Sequence, residues 1–295
     1  MAKKAFVYDG TNWIDIAQST TDLSGYPALA TNQFGFRNKI INGDFRINQR
    51  AYTSASNLAS GAYGFDRWKS TFTNTTLTFT SAPQGQIVTI NSGGSVEQII
   101  ERGNMPAGTY VLSWTGTATG RVYNTGATPP SYAASPILVT IDGTANVEVE
   151  FTASGGTRTL QNVQLEAGSV PSAFEYRPIG TELALCQRYY FRMNNINGAA
   201  IMGEGLTYST TAGYFNIKTP VTMRVTPSLI ETSGNFVINN AAAQYSINTL
   251  SIISGVTNLD NVNIGFGSGT FPGTVFVGRI LSSSTGGFIG IGAEL

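Results

Sequence analysis

Val147-Glu148-Val149-Glu150-Phe151 alternates apolar and charged side chains without a break. A strand turns successive side chains to opposite faces. This stretch therefore buries Val147, Val149 and Phe151 and leaves Glu148 and Glu150 on the other side. The same period of two recurs up and down the chain. Leu77 and Phe79 alternate with Thr76, Thr78 and Thr80, and Val88 and Ile90 flank Thr89. Tyr110, Leu112 and Trp114 alternate with Val111, Ser113 and Thr115, and Val163 and Leu165 with Asn162 and Gln164. Turn signals separate these runs: Ala82-Pro83, Ser92-Gly93-Gly94, Pro106-Ala107-Gly108, Asp142-Gly143 and Ser154-Gly155-Gly156. Short half-apolar strands joined by tight turns need a second layer over their apolar faces. Residues 37–178 are therefore expected to form an antiparallel β-sandwich, within a chain that is all-β apart from one helix.

The composition narrows the function. The chain has 295 residues, with 17 Lys plus Arg balanced by 17 Asp plus Glu and only 12% charged residues. A nucleic-acid partner would call for a basic excess or stripe, and neither is present. Glycine, serine, threonine and asparagine carry the polarity instead, as in short strands and in surfaces that become buried in assemblies. Cys186 is the single cysteine, so an intrachain disulfide is excluded; it reads as a small packed hydrophobe. After Met1-Ala2-Lys3-Lys4 the chain is too polar for a signal-peptide core, and no apolar run reaches membrane-spanning length. The expectation is synthesis in a cytoplasm, no membrane insertion, and release through lysis.

Catalytic chemistry finds little support. The chain has no histidine, which removes the commonest general base and zinc ligand and every Ser-His or Cys-His pair. Gly265-Phe266-Gly267-Ser268-Gly269 lacks dinucleotide-binding spacing and reads as turns or close backbone approach. Carboxylate-based glycan cleavage needs two acids about 5–10 Å apart. Glu148 and Glu150 meet that at roughly 7 Å by strand rise, but any Glu-x-Glu strand does. The expectation is no enzyme.

Beyond the sandwich, Ala5-Phe6-Val7-Tyr8 and Trp13-Ile14-Asp15-Ile16 flank Asp9-Gly10-Thr11-Asn12 and read as a hairpin. A lone hairpin is marginal in water, so residues 1–36 read either as an attachment segment or as a first strand pair of the main fold. Residues 181–192 are the helix candidate, with Thr181 as cap, Glu182 at the positive end, and Leu183, Cys186, Gln187 and Tyr190 on one face. Residues 179–295 otherwise return to β character. Val221-Thr222-Met223-Arg224-Val225 alternates between Pro220 and Pro227 as an expected strand. Leu250-Ser251-Ile252-Ile253, Val275-Phe276-Val277 and the tail around Phe288-Ile289-Gly290-Ile291 are apolar on both faces, which predicts strands buried in a stack or a subunit interface.

Four motifs stand in series: Asn38-Lys39-Ile40-Ile41-Asn42-Gly43-Asp44-Phe45-Arg46-Ile47-Asn48-Gln49-Arg50; Phe65-Asp66-Arg67-Trp68; Val163-Gln164-Leu165-Glu166 through Phe174-Glu175-Tyr176-Arg177-Pro178; and Glu182-Leu183-Ala184-Leu185-Cys186-Gln187-Arg188-Tyr189-Tyr190. Over about half the chain this order resembles the tail-fibre and receptor-binding structural proteins of tailed bacteriophages, which carry a jelly-roll domain related to carbohydrate-binding modules. The resemblance implies a jelly roll at 37–178, a helix plus C-terminal β domain at 179–295, and a homotrimer in the virion. It also implies docking of residues 1–36 on other virion proteins and attachment to host-surface glycan or protein. A head-fibre, decoration or adaptor role is the alternative reading, with a glycan-cleaving depolymerase behind it. The related modules often hold structural calcium, and Asn42, Asp44 and Glu166 sit where such oxygen ligands would converge.

Aromatic residues are the natural sugar contacts, because a sugar ring offers a flat C–H face. Trp68 reads first as a core anchor and second as a sugar platform. Trp114 lies on an apolar strand face and reads as core. Tyr123 and Tyr132 fall in a segment with the look of a long loop, Arg121 to Tyr132, and are the expected glycan or partner contacts; loop packing is the other reading.

Overall fold

The computed structural model of the chain describes residues 6–8, 13–15, 36–195, 200–240, 243–267, 271 and 277–295. Strands β1 (Phe6–Tyr8) and β2 (Trp13–Asp15) pair antiparallel with Val7 opposite Ile14, as the hairpin reading expects. The expected turn and most of the linker that follows lie outside the described residues.

Ten strands build the first domain: β3 (Asn57–Leu58), β4 (Lys69–Ser70), β5 (Thr75–Ser81), β6 (Gln86–Ile90), β7 (Ser95–Ile100), β8 (Gly108–Gly116), β9 (Thr119–Asn124), β10 (Ile137–Ile141), β11 (Val147–Thr152) and β12 (Arg158–Ala167). They form a six-stranded sheet, β10-β8-β12-β6-β5-β3, and a four-stranded sheet, β4-β7-β11-β9. From β6 to β12 the chain alternates between the two sheets at every step, which is the winding of a jelly roll. The core between them holds the residues that the period of two assigned inward, among them Leu77, Val88, Leu112, Val147, Val149 and Phe151.

A helix, α1 (Ile179–Gln187), follows. It starts two residues earlier and ends five residues sooner than expected. Thr181 is not its cap: Pro178 stands at the cap position with no side-chain cap, and the Thr181 and Glu182 N–H groups make the first helical bonds to the Pro178 carbonyl. It stops because Tyr190 is needed elsewhere, in β13 (Tyr190–Asn194). Cys186 is fully buried, and burial pushes its thiol pKa well up, as befits a packed residue.

The second domain adds β14 (Ala200–Thr207), β15 (Ala212–Lys218), β16 (Leu229–Ser233), β17 (Phe236–Asn240), β18 (Ala243–Ile247), β19 (Thr249–Ile252), β20 (Asn261–Gly267), β21 (Val277–Ser282) and β22 (Phe288–Gly292). A three-stranded sheet, β13-β22-β16, and a seven-stranded sheet, β18-β17-β21-β14-β15-β20-β19, enclose a separate core that includes Phe191, Met202, Phe215, Ile280, Ile289 and Ile291.

Two expectations for this half are corrected and one holds. Residues 221–225 are not a strand: Met223 plugs the core, and its N–H and that of Arg224 donate to the single carbonyls of Leu259 and Arg188 rather than to a ladder. The apolar tail is buried as expected, in the sheet stack of its own chain, since β22 is the central strand of the three-stranded sheet. The strand β19 lies at a sheet edge and is half exposed, and Val277 is 69% exposed, so neither is buried on both faces. Val275 and Phe276 lie outside the described residues.

Candidate ligand face

Because Val147, Val149 and Phe151 point into the sandwich, the alternation places Glu148 and Glu150 on the outer face of the four-stranded sheet. Register then aligns one row across it: Lys69 opposite Glu97, Glu97 opposite Glu150, and Glu150 opposite Arg121. Two glutamates directly opposite repel. Each is relieved from its own side. Lys69 Nζ is 3.1 Å from Glu97, and Arg121 grips Glu150 Oε2 through Nε at 2.7 Å and Nη2 at 2.6 Å. The Thr71 hydroxyl donates to the other Glu150 oxygen at 2.8 Å. The Glu97 pKa is nonetheless raised, first by burial and also by Glu148 and Glu150, with Lys69 opposing.

The next row brings Glu148 opposite Tyr123. Tyr123 lies on β9 itself, which corrects its loop assignment. Tyr132 does belong to the connection after β9, and a bridge fixes it there: Gly120 and Ala133 exchange both backbone hydrogen bonds. The result stands on Arg121, whose guanidinium carbon sits 4.3 Å from the Tyr132 ring centre and 5.4 Å from that of Tyr123. Both rings are half-buried. Burial followed by Glu148 raises the Tyr123 pKa; burial followed by Glu150 raises that of Tyr132. The Tyr132 hydroxyl is shielded and faces Glu150, as that of Tyr123 faces Glu148. The face thus offers two aromatic platforms braced by one cation, with the Tyr123 hydroxyl beside the half-buried Glu148 carboxylate and the Tyr132 hydroxyl beside Glu150. Those are the groups that a polyol with one apolar side needs.

The other expected contacts lie elsewhere. Trp68 is corrected to a core residue: it is fully buried, its ring centre lies 5.1 Å from Phe45 and 6.0 Å from Phe151, and its indole N–H donates to the Asn42 carbonyl at 2.9 Å. The oxygens of the three candidate calcium ligands are engaged by protein donors. Asn42 Oδ1 accepts from the Ile47 N–H, and its amide donates to the Ile47 and Asp66 carbonyls. Asp44 is ion-paired with Arg46. Glu166 accepts from the Ser172 N–H and hydroxyl and from Gln164. These internal partners hold all three side chains in the protein's own hydrogen-bond network, which does not favour calcium, and among the described residues no three His, Cys, Asp or Glu side chains are grouped to hold an ion.

The four quoted motifs instead converge on a structural seam. Asn38 bonds Val163 and Leu165 across the domain ends, and Arg177 donates to the Ile40 carbonyl and pairs with Glu182 at 3.2 Å. Asp66 receives the Gln49 N–H at 2.6 Å and its amide at 2.7 Å, and that same amide reaches the Tyr190 carbonyl. Arg50 lies over Tyr190, Arg67 lies over Tyr189, and both pair with Glu294. The motifs therefore carry the domain junction. The roles of Arg121, Glu97 and Glu294 were not foreseen: their partners are set by strand register or lie far away in sequence, and no local pattern marks them.

No protein-family profile and no curated protein match the chain. Solved structures show a loose likeness, two of them as follows. A Paenibacillus sp. cycloisomaltooligosaccharide glucanotransferase, in complex with cycloisomaltoheptaose, aligns at 10% identity and a TM-score of 0.23, over 80% of this chain and 46% of that one. Wild-type discoidin II from Dictyostelium discoideum aligns at 9% identity and a TM-score of 0.18, over 88% and 92%. The chain spans less than half the length of the first. Superpositions this loose define neither fold nor function.

Proposed function

We propose that the chain is a non-enzymatic virion protein of a tailed bacteriophage, a tail-fibre or receptor-binding component that holds host-surface glycan on the outer face of the four-stranded sheet. The arrangement of Tyr123 and Tyr132 over Arg121, beside Glu148, carries this reading. The sequence resemblance supplies the virion context. Glu150 supports a binding role over a hydrolytic one, because Arg121 and Thr71 hold both of its oxygens and leave it a brace. The hairpin of β1 and β2 serves as an attachment segment for another virion protein. Self-association as a trimer draws on the seven-stranded sheet, where Ile201, Tyr214 and Val277 stand exposed.

A second reading, a head-fibre, decoration or adaptor protein, draws on the same face: its charges are already paired, and a neighbouring protein covers such a surface at little desolvation cost. Antibody-gold labelling of intact particles separates the two. Label at the tail tip, with purified protein blocking adsorption, agrees with the first reading. Label confined to the head with no effect on adsorption agrees with the second, and absence from particles rejects both.

A further inference from the structure

The opposite face of the sandwich holds a cleft of ≈ 580 Å3. Ser113 and Thr115 of β8, Asn162, residues 171–174 and Tyr176 line it. The pairing of β8 with β12 slips between Gln161 and Gln164, and Asn162 in that bulge takes a left-handed φ of 53°. Bulges re-aim side chains, and Asn is one of the few non-glycine residues that accept this backbone. The Asn162 amide donates to the Tyr176 hydroxyl at 3.2 Å, while its oxygen is shielded and has no partner. Exchanging the amide N and O leaves the count unchanged, since a phenol both donates and accepts; one polar atom of Asn162 stays unpaired either way. Tyr176 is 45% exposed, with Phe174 edge-on to it at 4.8 Å between ring centres. The lining carries no charged side chain.

We propose that this cleft is a second carbohydrate site, taking a neutral pyranose that stacks on the Phe174–Tyr176 pair and hydrogen-bonds Asn162. The inference rests on the reading of the chain as a glycan binder. The volume falls within the roughly 300–1,000 Å3 of small-ligand clefts. A phosphate or acidic sugar would lack a counter-charge here, and a purely apolar ligand would leave Asn162 unpaired. Two sites on opposite faces let one chain engage two sugar units of a dense surface polysaccharide, so weak sites combine by effective concentration.

The test is saturation-transfer NMR of the full chain with the methyl pyranosides of glucose, galactose and mannose. Three proteins are compared: the unaltered chain, Tyr123→Ala/Tyr132→Ala, and Thr115→Trp, which fills the cleft from an exposed strand position. Should the double variant not fold, Tyr132→Ala replaces it. The expected result is transfer from at least one neutral pyranoside that survives the tyrosine changes and falls about tenfold or more in apparent affinity with Thr115→Trp. Transfer unaltered by Thr115→Trp, or no transfer from any of the three sugars, overturns the cleft. Transfer abolished by the tyrosine changes and kept in Thr115→Trp overturns the cleft while leaving the sheet-face reading standing.

Discussion

Arg67 Nη1 lies 2.5 Å from Glu294 Oε2, joining side chains 227 positions apart. Arg67 is buried, donates also to the Ile99 carbonyl at 2.6 Å, and lies 3.6 Å over the Tyr189 ring. Glu294 takes Arg50 as well, at 3.3 Å. One carboxylate therefore neutralises two guanidinium groups where the sandwich meets the C-terminal domain. The Leu295 carbonyl accepts from Tyr63 and Lys69 beside it.

Removing that carboxylate strands two charges in a dry junction. Glu294→Ala should cost about 3–5 kcal/mol, the range for breaking a buried pair by deleting one partner. Glu231→Ala, whose side chain is 37% exposed, should cost below about 1 kcal/mol, although it also reaches Arg50. Chemical denaturation of both variants checks the contrast. Equal, small losses would mean that the junction is wet and loosely held.

Trp68 distinguishes a core anchor from a sugar platform. Trp68→Ala should lose about 3–5 kcal/mol, through the cavity it leaves and the freed Asn42 carbonyl. A stable variant with impaired binding would return Trp68 to the surface.

The pH dependence of stability should carry the mark of Glu97. Its folded pKa is raised, so the native state holds more protons than the unfolded chain between the ordinary carboxylate value and the folded value. Stability from this group is present below that window and is lost as pH rises through it. Glu97→Gln should therefore gain stability relative to the unaltered protein as pH rises from the acid range to neutrality. A difference independent of pH, read from denaturation midpoints between those limits, would count against the burial of Glu97, which is the main cause of its raised pKa, and against the smaller push from Glu148 and Glu150.

Much of this was legible in the chain, and the part that was not has a common cause. Period-two patterning located strands such as β8 and β11 and their inner faces, because burial of alternate residues is a local property. The pattern failed at 221–225, where alternation between two prolines serves a strap that plugs the core with Met223 instead of joining a ladder. It held for the tail, whose apolar residues are buried in β22 between β13 and β16 of the same chain. The candidate site was half legible. Tyr123 and Tyr132 stood out as aromatics among glycines and prolines, but Arg121, Glu97 and Glu150 acquire their roles only from cross-strand register. Trp68, Asn42, Asp44 and Glu166 looked functional because they sit in a recurrent motif. The structure gives those motifs a seam to close.

The central claim is that Tyr123 and Tyr132 present a glycan-binding surface. A bacterial-surface glycan array probed with the full chain and with Tyr123→Ala/Tyr132→Ala, both checked for equal melting temperature, tests it most directly. The account predicts binding of at least one glycan by the unaltered chain and a loss of about tenfold or more in the double variant, equivalent to about 1.4 kcal/mol. Equal binding by the two folded proteins, or no glycan bound by either, would contradict it.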